Sequence, residues 1–171
     1  VNIHLNSLTG NFTNFGTIHG GVDGVNIVAN TIEGDITNNG TIIGEGYDTA
    51  LYVSASSMTG NVVNTNYLSA FSNALHVNIG TLTGQVTNSG GLIEATGGGT
   101  AVLLNIGNGT TFQNTGGGSI DGDVEFAGAT AAYQYSAGNG SIDGSLIGLG
   151  VGGVNNDTIL VDGTHAFIGG T

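Results

Sequence analysis

A parallel β-helix, with about 24 residues and three short strands per coil, is the fold this sequence predicts. Three observations predict it. A motif of apolar residue, any residue, Gly, any residue, apolar residue, any residue, Asn recurs along the chain. Its asparagines, at 14, 38, 64, 88 and 114, fall 24 or 26 residues apart. Apolar residues alternate with others inside each copy, the period of a strand, and helical spacing appears nowhere. The composition is that of stacked turns: 34 glycines, 20 asparagines and 21 threonines among 171 residues, with no proline and no cysteine.

The elements follow in order. The first unit is Leu8-Thr9-Gly10-Asn11-Phe12-Thr13-Asn14, repeated from Ile32 to Asn38, Met58 to Asn64 and Leu82 to Asn88, with a decayed copy ending in Phe112-Gln113-Asn114. Next comes a small turn and one apolar anchor: Gly16 then Ile18, Gly40 then Ile42, Asn66 then Leu68, Gly90 then Leu92. The third unit is a small residue before an apolar pair: Gly24 before Val25 and Ile27, Ala50 before Leu51 and Val53, Ala74 before Leu75 and Val77, Ala101 before Val102 and Leu104.

Stacking such coils about 4.8 Å apart puts equivalent residues into columns. Leu8, Ile32, Met58 and Leu82 form one inward column, and Phe12, Ile36, Val62, Val86 and Phe112 another. Asn14, Asn38, Asn64, Asn88 and Asn114 share that inward parity, so their amides are expected to bond one another in a ladder at a corner. Glycine allows the positive φ of tight corners, and a proline in a paired strand would lose a ladder bond.

From about residue 115 the pattern loosens, although Ser119-Ile120-Asp121-Gly122 returns as Ser141-Ile142-Asp143-Gly144. The expectation is a single solenoid over 1–171, regular over 1–114 and more variable over 115–171. Seven coils at most fit, making a rod about 30 Å long. Val1 falls inside a repeat with no leader before it, so the chain reads as a piece of a longer one. Neither end shows a cap, and solenoid ends need polar capping units.

Charge excludes several functions. With no Lys or Arg and a formal net charge of −12, the chain has nothing to neutralise phosphate and is expected to bind no nucleic acid. Anionic membranes would repel it too, and no apolar run is long enough to span a bilayer.

The Gly-x-apolar-Thr-Asn-x-Gly-Thr-Ile units at Gly10 to Ile18 and Gly34 to Ile42 resemble those of autotransporter passengers and related bacterial surface adhesins. The segment Asn156-Asp157-Thr158-Ile159-Leu160-Val161-Asp162-Gly163 is similar to one common near the end of such passengers. The resemblance spans roughly residues 8 to 165. It implies a right-handed parallel β-helix, export across a Gram-negative envelope and an extracellular place on the bacterial cell surface. The complete lack of Lys and Arg departs from that family, whose members are poor in them but seldom devoid.

Polysaccharide lyases on this fold need a basic side chain beside a carboxylate, and Lys and Arg, which usually supply it, are missing here. Hydrolases need carboxylates facing each other. Glu33, Asp35, Asp121, Asp123, Glu125 and Asp143 all have outward parity, which reads as a solvated acidic face. Calcium is the one cofactor such a face suggests, at Asp121, Asp123 and Asp143, because a hard cation relieves repulsion between stacked carboxylates. A second calcium candidate is Asp157, in Gly152-Gly153-Val154-Asn155-Asn156-Asp157-Thr158-Ile159-Leu160. That stretch departs from the calcium-binding nonapeptide only at Asn155 but occurs once. His4, His19, His76 and His165 are scattered without metal-ligand spacing, and His76 shares an outward column with Asn26 and Tyr52.

Outward aromatics at Tyr47, Tyr52, Tyr67 and Phe71 fall within two adjacent coils and suit contact with a sugar or a protein, or else a ladder that steadies the stack. Outward threonines at 9, 13, 17, 37, 41, 59, 83 and 87 resemble an ice-binding array, but Glu33, Val63, Tyr67 and Gly91 interrupt its columns. The expected function is therefore a non-enzymatic adhesin or structural stalk, with surface glycans or proteins as partners. The alternative is a fibre subunit that associates with itself, head to tail or laterally.

Overall fold

The computed structural model describes residues 1–46, 48–127 and 132–148, and the backbone of 158–160. It is an all-β parallel solenoid of about six coils. Each strand between the ends of its sheet pairs in parallel with its counterparts one coil before and one coil after, which builds two seven-stranded sheets and one six-stranded sheet. In the second coil the chain passes through Val25–Glu33 in the first sheet, Ile36–Asn38 in the second and Thr41–Gly44 in the third. No described residue is helical, so no helix there is long and apolar enough to cross a membrane.

The inward columns lie in register as the repeat requires. Leu8, Ile32, Met58 and Leu82 pair in series, and so do Phe12, Ile36, Val62, Val86 and Phe112, with Tyr135 next. Burying each such aliphatic side chain contributes about 2 kcal/mol, so the core is a continuous apolar filament. The long first-sheet strands bend midway. Ala29 and Ile32 both point inward although three positions apart, and the exposed Asn30 between them breaks the alternation.

One anchor differs from the sequence expectation. In the fourth coil the residue paired with Leu68 is Ile93, fully buried, while Leu92 pairs with Tyr67 on the outer face. The cause is the Gly90-Gly91 pair. The turn holds one residue more than those of the preceding coils, so the Asn88 amide reaches the carbonyl of Gly91 where Asn64 reaches that of Asn66. Leu92, not Gly91, therefore continues the outward column of Thr17, Thr41 and Tyr67. The step from Asn38 to Asn64 is longer for a different reason. The corner between third and first sheets carries two extra residues, with Leu51 nine positions after Ile42 where Val25 is seven after Ile18.

Each asparagine of the ladder donates to the next: Asn14 to Asn38 at 2.8 Å, Asn38 to Asn64 at 2.9 Å, Asn64 to Asn88 at 2.8 Å and Asn88 to Asn114 at 2.9 Å. The second amide proton goes to a turn carbonyl such as that of Gly40, so each buried carboxamide is satisfied. Asn114 ends the series by donating to the Ser141 carbonyl at 2.9 Å.

A second ladder runs along the preceding corner. The Asp35 amide N–H donates to Asn11 Oδ1 at 2.8 Å, Asn61 N–H to Asp35 Oδ1 at 2.7 Å and Gln85 N–H to Asn61 Oδ1 at 3.0 Å. Here glycine is obligatory for two reasons at once. Gly60 has φ +139°, and a Cβ there would lie 2.2 Å from the Gly34 carbonyl oxygen.

The variable coils are closed by tyrosine. Tyr133 is buried against Phe126, its ring 5.1 Å away, and its hydroxyl accepts the Ile106 N–H at 2.8 Å while donating to the Ala127 carbonyl at 2.6 Å. Tyr135 lies on Phe112 with ring centres 5.9 Å apart; burial pushes its phenol up, against the opposing effect of a hydrogen bond with Asn114. The repeated Ser-Ile-Asp units pair in register, Asp121 beside Asp143.

Candidate functional site

Outward positions of the third sheet form two columns. One runs Thr17, Thr41, Tyr67, Leu92, Ser119, Ser141, and the other His19, Ile43, Ser69, Glu94, Asp121, Asp143. The second column passes from imidazole to three successive carboxylates. Tyr67 links the two columns by donating its hydroxyl to Glu94, and that bond holds the phenol above its ordinary range while a bond with Ser69 opposes it.

Where this face turns the corner toward the first sheet, the chain leaves an open groove of about 440 Å³. His19 and Glu45 stand on one side, with Nε2 to Oε1 at 3.1 Å and both side chains more than half exposed. Ile43 and Ser69 form the floor, and Phe71 and Thr96 line the groove with them. Phe71 is 46% exposed. Its ring lies over Gly97, where a Cβ would come within 3.0 Å of Phe71 Cε1. The two-residue corner insertion puts Glu45 at this rim, its backbone N–H bonded to the Gly20 carbonyl at 2.8 Å.

The described aromatic residues singled out by sequence stand on two sheets and a corner. Tyr52 is on the first sheet, where its ring meets that of His76 edge-on at 4.9 Å; Tyr67 is on the third sheet, and Phe71 is at the corner. Tyr47 lies outside the described residues. The column Asn26, Tyr52, His76 is present, and burial pushes the His76 imidazole down, only partly opposed by the charge of Asp23. Sequence reasoning missed Phe15, 80% exposed, although it stands where later coils carry Asn39 and Thr65 directly after the ladder asparagine.

Among the acidic residues, Asp35 is a rung of the corner ladder, and Asp123 Oδ1 accepts the Ser145 N–H at 2.8 Å. Asp121 and Asp143 are exposed and adjacent. Among the described residues no three His, Asp or Glu side chains converge to hold a metal. Asp157, most of its nonapeptide, and His165 lie outside the described residues. In the threonine columns, Glu33 stands between Thr9 and Thr59, and Val63 between Thr37 and Thr87.

The described arrangement offers hydroxyl, carboxylate and imidazole groups around an aromatic ring, which suits reversible recognition. No family model matches the chain, nor does any curated protein or solved structure.

Proposed function

We propose that the chain is a non-enzymatic rod of an extracellular bacterial surface protein, an adhesin or stalk that holds a binding face in fixed register. The observation that carries this reading is the asparagine ladder, unbroken from Asn14 to Asn114. It joins five successive coils by side-chain bonds in addition to the sheets, a device for rigidity along the axis. The chemistry of the outer surface agrees. There is no Lys or Arg to take a proton beside a carboxylate, and Asp35 and Asp123 are spent on backbone N–H groups. Calcium, if bound at Asp121 and Asp143, would neutralise that face and take no part in a reaction.

The test is adhesion with turnover measured alongside. Inert beads coated with the chain are expected to hold to a glycan- or protein-coated surface and to release no sugar. Hydrolysis of a polysaccharide, abolished by Asp121→Asn or Asp143→Asn, would overturn the non-enzymatic reading.

A further inference from the structure

We draw no further inference here: the strongest candidate, the apolar N-terminal face of the first coil, where Leu5 is 48% exposed although its partner in the next coil, Ala29, is buried, carries none because nothing in the structure shows what covers it.

Discussion

Asn38 donates its side-chain amide to Asn64 Oδ1 at 2.9 Å, and both residues are buried, at 0% and 1% exposure. The bond crosses 26 positions of sequence and one coil of structure. Its neighbours make it cooperative, because Asn38 accepts from Asn14 and Asn64 donates to Asn88.

Replacing Asn64 by alanine therefore does more than remove one contact. It leaves an Asn38 donor and the Asn88 acceptor short of partners inside the corner, and each unsatisfied buried group costs about 1–3 kcal/mol. Asn64→Ala is expected to lower stability by about 3 kcal/mol or more, read from the urea midpoint. The outward Asn78→Ala, which removes an exposed bond to Asn105, is expected to change it by less than about 0.5 kcal/mol.

The corner glycines make a paired prediction. Gly10 and Gly60 share a column and both have positive φ, but a Cβ at Gly10 meets nothing within 4 Å while one at Gly60 meets the Gly34 carbonyl oxygen at 2.2 Å. Gly10→Ala is expected to cost only backbone strain, about 1 kcal/mol. Gly60→Ala adds a clash between coils and is expected to cost several times more. Thermal unfolding of the two variants side by side checks the difference.

These residues also show how much was legible beforehand. The repeat period, the inward columns and the Asn ladder follow from spacing alone, because a period-two strand leaves little choice of face once one residue is anchored. The Ile93 anchor was not legible. Gly90-Gly91 allows either a four- or a five-residue turn, and both Leu92 and Ile93 are apolar enough to fill the core. The corner ladder through Asn11, Asp35, Asn61 and Gln85 has a visible signal, an acceptor after each motif glycine, but by parity alone the carboxylate of Asp35 reads as part of a solvated acidic face. Closeness in sequence says nothing about which sheet a solenoid residue faces; Tyr52 and Tyr67 are 15 positions apart and on different sheets.

His76 predicts an acid dependence. Burial lowers its pKa below the ordinary 6.5, so the unfolded chain takes up this proton more readily than the folded one. Its contribution is constant above about pH 6.5 and falls as pH drops toward the folded value. Between pH 7.5 and pH 5, wild type is expected to lose more stability than His76→Gln, as read from urea midpoints at the two values.

Tyr133 gives a local prediction in the variable coils. Its hydroxyl is the acceptor for the Ile106 N–H and a donor to the Ala127 carbonyl. Tyr133→Phe keeps the ring against Phe126 and removes the bonds of the hydroxyl, for a loss of about 1–3 kcal/mol. Amide exchange at Ile106 is expected to accelerate, while that at Ile36, three coils away, stays as in wild type.

The claim that the coils are locked into one rod by a continuous side-chain ladder is tested most directly by hydrogen exchange of the asparagine carboxamides. After transfer to heavy water, the side-chain amide protons of Asn38, Asn64 and Asn88 are expected to persist at least about a hundredfold longer than those of Asn105, whose bond to Asn78 is exposed. Exchange of all four at the same rapid rate would contradict the ladder, and with it the rigid rod on which the functional reading depends.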